Sequence, residues 1–199
     1  MKDDAPPARR RYHHGDLAPA LVRAGIDLLE EAGLENLSLR GIAARVGVSH
    51  TAPKNHFDGL KGLLSAIAAE GFRRHAAAMT QGTGPDSTRE DRLRAAALGY
   101  VRFARENPAL FRLMFSPARL DYGAPGLKAA AEASYAVLEG ISEGLDWTPL
   151  DGSPPAHTET MLWSMVHGYA HLLISNEMVG GAEAPPVTAI IPRLGYAAD

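Results

Sequence analysis

Ser49, His50 and Thr51, with Lys54 and Asn55 close behind, gather hydroxyl, imidazole, ammonium and carboxamide groups into seven residues. No pair among them is an evident nucleophile and base. Their chemistry is hydrogen bonding: asparagine matches adenine in two-point fashion, and lysine reaches guanine O6/N7 or a phosphate. Backbone N–H groups at the start of a helix here would add a place for a phosphate. Arg40, a few residues upstream, and Lys61, a few downstream, suit contacts to a nucleic-acid backbone. His56 ends the segment and either joins this set or packs beside Phe57.

Such groups work only if an element presents them. The stretch SLRGIAARVGVSHTAPKNHF, residues 38–57, has the pattern for it. Ser38 caps a short helix with Leu39, Ile42, Ala43 and Val46 on one face, and Gly47 breaks it. Ser49 is expected to cap a second segment that ends near His56 and Phe57. Ala43 is small enough for the two to cross closely. This is a helix-turn-helix pattern, in which the second helix enters the major groove with its N-terminal residues at the base edges. Taken alone, the pattern leaves a packing reading equally open: Ser38 and Ser49 can be caps only, and helical hairpins occur in proteins that never meet DNA.

Around this unit every periodic segment is helical. Asp16 is expected to cap a helix carrying Pro19 in its first turn, with Leu17, Leu21, Ala24, Leu28 and Ala32 inward and Gly33 as the stop. A longer helix runs from about Asp58 to Thr80, and QGTGPDS, residues 81–87, is a linker. Helical spacing returns at Leu93–Ala104, Leu110–Phe115, Leu127–Leu145, 157–178 and 187–194. No strand alternation is evident. The expected fold is all-α. A flexible basic arm, 1–15, carries Arg9, Arg10 and Arg11. A three-helix helix-turn-helix domain, 16–62, follows, then a larger helical ligand-binding and dimerisation domain, 63–199.

Composition narrows the function. There is no cysteine among 199 residues, which excludes disulfides and Cys-ligated zinc. The GxSxG elbow, HExxH and the phosphate loop GxxxxGK[ST] are missing, so no enzyme activity and no cofactor are expected. The N-terminus has no apolar signal core, and no apolar run approaches the ~20 residues of a membrane span. A cytoplasmic, membrane-free protein is the expectation. The net charge of −3 is uneven: residues 1–75 hold 11 Lys/Arg against 9 Asp/Glu, and the remainder nine against fourteen. The more basic end is the one carrying the helix-turn-helix.

The second half offers adaptable apolar surface, including Phe111, Met114, Phe115, Trp163 and Met165. Taken singly, most of these fit a core better than a ligand site. His167 and His171 share a helix face, and with Glu159 they form a conceivable but poorly supported metal set. MLWSMVHGYAHLLI is apolar nearly all round and should be buried, as core or as a two-fold interface.

YHHGDL, LEEAGLENLSLRGIAARVGVSHTAPKNHF and GLLSAIA, in this order and spacing, resemble the N-terminal domain of the TetR family of transcriptional regulators, from about Tyr12 to Phe72. PALFRLMFSP and WSMVHGYAHLLI are similar to the C-terminal domain of the TetR subgroup named for a Trp…His-Gly motif, here Trp163, His167 and Gly168. The resemblance implies a homodimer on a pseudo-palindromic double-stranded operator, with recognition helices ~34–36 Å apart. It also implies an effector pocket, for which Phe111, Met114, Phe115, Trp163 and His167 are the candidates, and a repressor released by an unknown small molecule. The sequence departs from the family at Lys54, where an aromatic phosphate contact is usual, and at Leu60, where lysine is frequent. An all-α sensor that no longer binds DNA specifically is therefore the alternative, with a His-based metalloenzyme third.

Overall fold

The computed structural model describes residues 17–154, 156–176, 184–191 and 195–196. The basic arm, Asp16 and residues 192–194 lie outside the described residues. Among the described residues seven α-helices follow in order: α1 Leu17–Ala32, α2 Leu39–Val46, α3 Gly59–Thr80, α4 Arg89–Glu106, α5 Pro108–Met114, α6 Pro125–Ser142 and α7 Thr158–Ser175. The fold is all-α.

Local chemistry sets most boundaries. Gly33 leaves α1 with φ +77° and donates to the Leu29 carbonyl at 3.0 Å, the expected stop. Thr88 and Asp91 close a capping box on α4, and Pro108 opens α5, where its missing N–H costs nothing. Asn176 ends α7 in the left-handed region and donates back to the last turn.

Two expectations change. The helix expected over 187–194 is a single 3-10 turn, Val187–Ala189, among the described residues. A two-residue antiparallel pair, β1 Leu145–Asp146 with β2 Gly195–Tyr196, appears where no strand was expected. Leu145 pairs with Tyr196 and Asp146 with Gly195, too far apart in the chain for a local pattern to announce the pairing.

The core is continuous through α3. At one end Leu63 and Ile67 pack with Leu21, Leu29 and Ile42; further along, α3 meets α4, α5 and α6. Gly99 lets α4 touch the end of α3: a Cβ there would stand 2.0 Å from the Ala78 carbonyl oxygen. α7 is only partly covered by the described residues of its own chain. Only Leu162, Val166, Tyr169 and Ala170 of it are buried, while Trp163 and Leu172 are 38% and 43% exposed. The helix packs on α4 and α6 along one side, which leaves the rest of its apolar surface open.

Candidate functional site

Polar and chemically able side chains gather in two regions, the exposed turn after α2 and a cavity in the C-terminal bundle. The Ser38 side chain caps α2, accepting from the Gly41 N–H at 3.1 Å. Gly47 ends it at φ +79°, and Val48 donates to the Ala43 carbonyl at 3.0 Å. Ile42 and Ala43 are fully buried, fixing α2 against its neighbours.

The segment that follows is not the capped α-helix expected from Ser49. It is a 3-10 turn of four residues, Ala52–Asn55. Pro53 is the reason. It has no N–H to offer the Ser49 carbonyl, so the ladder runs on i→i+3 bonds, Ala52 to Ser49 at 2.9 Å and Lys54 to Thr51 at 3.1 Å. Its ring is buried against the domain. The Ser49 hydroxyl caps no helix; it bonds the Thr51 hydroxyl at 2.9 Å and accepts from the Thr51 N–H at 3.3 Å. Arg40, Ser49, His50, Thr51, Lys54, Asn55, His56 and Lys61 are all exposed. Lys54, Asn55 and His56 border one open groove reaching Gly59. Arg45 is engaged elsewhere, ion-paired with Glu31 of α1.

The cavity lies among α3, α4, α6 and α7 and holds about 540 Å³. Phe72 and Met79 of α3, Ala97 of α4, Leu138 of α6 and Val166 of α7 make its wall apolar. Polar groups interrupt that wall. Trp163 Nε1 donates to the Tyr100 hydroxyl at 3.2 Å, and this hydroxyl bonds His167 Nδ1 at 2.6 Å. His75 Nδ1 bonds Ser134 Oγ at 2.8 Å. His75 Nε2, although buried, has no hydrogen-bond partner among the described residues. Burial, and secondarily the proximity of His167, lowers the His75 pKa to about 3, so the imidazole is neutral at ordinary pH. Burial, with a smaller contribution from His171, lowers His167 to about 4. Burial also pushes the Tyr100 hydroxyl well above the usual phenol range, a rise that the Trp163 hydrogen bond opposes.

Of the residues named for a ligand, Phe115 and Trp163 line this cavity. Phe111 and Met114 have no exposed surface and pack behind it. His167 reaches it through Tyr100 and sits against the Phe115 ring, centroids 4.5 Å apart. Sequence reasoning missed His75, Tyr100 and Ser134. A signal existed: His75 falls between Phe72 and Met79 at the spacing of a buried helix face, and Ser134 continues Leu127 and Ala130 in the same way. His167 and His171 meet edge to face with centroids 4.5 Å apart, but no group of three metal-ligating side chains, Glu159 included, assembles among the described residues.

The two regions are joined. Glu30 of α1 accepts from the Ala109 and Leu110 N–H groups at 3.1 and 2.8 Å, so α1 caps the start of α5. Asp121 N–H donates to Ser65 of α3 at 2.9 Å. Arg119 pairs with Glu35 at 2.8 Å.

Comparison with known proteins adds the context. A family model described as tetracyclin repressor-like, C-terminal domain, matches residues 93–191; this description names no Trp-His-Gly subgroup. An HTH-type transcriptional regulator of Mycobacterium tuberculosis is 23% identical over 159 residues, covering 80% of this chain and 71% of the relative. A solved structure of a protein of unknown function from Rhodococcus sp. RHA1 is 29% identical, covers 92% of this chain and 93% of its own, and has a TM-score of 0.71. A TetR family protein from Vibrio parahaemolyticus shares the fold at 17% identity and a TM-score of 0.62, over 83% of this chain and 88% of its own. No helix among the described residues is long and apolar enough to cross a membrane. With a helix-turn-helix at one end and a tetracyclin repressor-like C-terminal domain over 93–191, the chain belongs to the TetR family of transcriptional regulators.

Proposed function

We propose that this protein is a ligand-responsive repressor that works where the chromosome is, in the cytoplasm, and releases its operator when a small molecule fills the cavity. The observation that carries the reading is the mechanical link between cavity and DNA face. α3 lines the cavity with Phe72, His75 and Met79 and begins beside the recognition turn. α5, ending next to the cavity residue Phe115, is clasped at its start by Glu30 of α1. A ligand that favours one setting of α3 and α5 shifts the populations of the DNA-binding domains, and only a differential affinity can do so. A coupling of ~1–3 kcal/mol changes operator affinity about 5- to 150-fold. The domain division is proposed near residue 62, with α3 shared by both parts. On this reading Arg40 and Lys61 touch phosphates, Ser49, His50, Thr51 and His56 position the turn, and Lys54 and Asn55 face base edges. Nothing in the reading requires an enzyme activity.

The same reading includes a homodimer. α6 exposes Ala129, Ala133, Ala136 and Gly140, and the open side of α7 carries Met161, Met165, Gly168 and Leu172. Both stripes repeat at intervals of three and four, as two helices packed on a second pair require. The experiment is selection from randomised duplex oligonucleotides, followed by a ligand-release screen on the enriched DNA. A pseudo-palindromic motif released by a small molecule is the expected result. The alternative, an all-α sensor without specific DNA binding, draws support from the four-residue 3-10 turn and the Lys54-Asn55 pair; a selection that enriches no motif favours it.

A further inference from the structure

The rim and the wall of the cavity differ in character. Glu132, Tyr135 and Glu139 lie three and four residues apart on α6 and all border the opening. Trp163 stands beside Tyr135, ring centroids 6.5 Å apart and planes at 78°. Both rings are partly exposed, at 43% and 38% for Tyr135 and Trp163. Glu132 has Lys128 at 3.8 Å, whereas Glu139 has no ion-pair partner among the described residues. Among the described residues no lysine or arginine lines the cavity. On the α3 wall, His75 is 2% exposed, with Nδ1 taken by Ser134 and Nε2 unpaired.

Accepting the cavity as an effector site, we infer that its ligand is a lipophilic amine, with a cationic head at the rim and a hydroxyl or carbonyl that pairs with His75 Nε2. The rim supplies what an ammonium seeks: two carboxylates and two aromatic faces. Among the described residues, an anion placed there meets Glu139 and finds only Lys128, already engaged by Glu132, so it loses its hydration with little compensation. The apolar wall accepts an alkyl or aryl body. His75 remains neutral and is satisfied by one uncharged partner, as buried polar groups generally are. A hydroxyl pairs with Nε2 in either tautomer, as donor or as acceptor, and a carbonyl pairs with it when Nε2 carries the proton.

The test is isothermal titration of the full chain at pH 7 with four probes of equal chain length: decylamine, decan-1-ol, decanoic acid and 10-aminodecan-1-ol. Decylamine is expected to bind at least tenfold more tightly than decanoic acid. The preference should shrink to within threefold in the Glu132→Gln, Glu139→Gln double variant, whose changes sit on an exposed face and whose fold is checked by circular dichroism. 10-Aminodecan-1-ol should bind more tightly than decylamine and move the imidazole nitrogen resonance of His75, which decylamine should not. Decanoic acid binding as tightly as decylamine, or a preference unchanged in the double variant, overturns the amine assignment and leaves a ligand cavity standing. An unmoved His75 resonance with no gain from the hydroxyl overturns the His75 contact. Binding by none of the four overturns the inference and the effector-site reading together.

Discussion

Lys54 and Asn55 stand exposed on a turn whose inner side is held by buried Pro53. If they read bases, Lys54→Ala and Asn55→Ala each weaken specific binding by ~1–3 kcal/mol while barely touching stability. Anisotropy titrations with selected and scrambled DNA check this; equal losses on both sequences would assign the side chains to phosphates. His75 makes a different prediction. Its folded pKa, about 3, lies below the ordinary 6.5. The unfolded chain therefore binds the extra proton between these values, so stability is full above pH 6.5 and falls as the pH drops toward 3. Between pH 7 and pH 5 the loss is about 2 kcal/mol from His75 alone. His167, lowered in the same direction, adds to the slope. Urea midpoints at the two pH values should separate clearly in the wild type and less in His75→Phe. The sequence marked Lys54 and Asn55 by type and place. It did not mark His75, because a histidine on a buried helix face reads the same whether or not it lines a cavity.

At the level of elements, helical periodicity and caps located α1 to α7 to within a few residues, and the miss at residues 49–57 has a single cause. A lone proline converts an expected α-helix into a 3-10 turn, and hydrophobic spacing is blind to a missing N–H. α5 illustrates the opposite case. Its seven residues are too few to be stable alone, and it stands because Glu30 caps it from α1 and Leu110, Phe111, Leu113 and Met114 are buried. Glu30→Ala is expected to cost about 1–2 kcal/mol through loss of the cap and its charge at a helix N-terminus. A thermal melt reads that cost. The same variant should also blunt ligand-induced release from DNA, and an unchanged release curve would take α5 out of the coupling route.

For the molecule as a whole, the open face of α7 carries the next expectation. Leu172→Arg places a charge where Met165, Gly168 and Leu172 form a stripe that the single chain leaves uncovered. Light scattering should show a dimer for the wild type and a monomer for the variant. Operator affinity should fall with it, because each half-site then binds alone. A variant that remains dimeric would move the interface elsewhere. The charge of −3 is no obstacle to DNA binding at this scale, since the acidic excess belongs to the residues after 75.

The sequence by itself determined the helical class, the cap at Ser38, the breaks at Gly33 and Gly47, and the order of residues that carries the family resemblance. All of these are local: propensity, periodicity and capping act over a few residues. Tertiary structure alone decided which buried faces meet. It joined His75 to Ser134 across 59 positions, Tyr100 to His167 across 67, and Glu30 to Ala109 across 79. It also chose which bulky side chains border the cavity and which fill the core behind it. Periodicity says that a face is buried, and the partner that covers it is set by the packing of whole helices around α3.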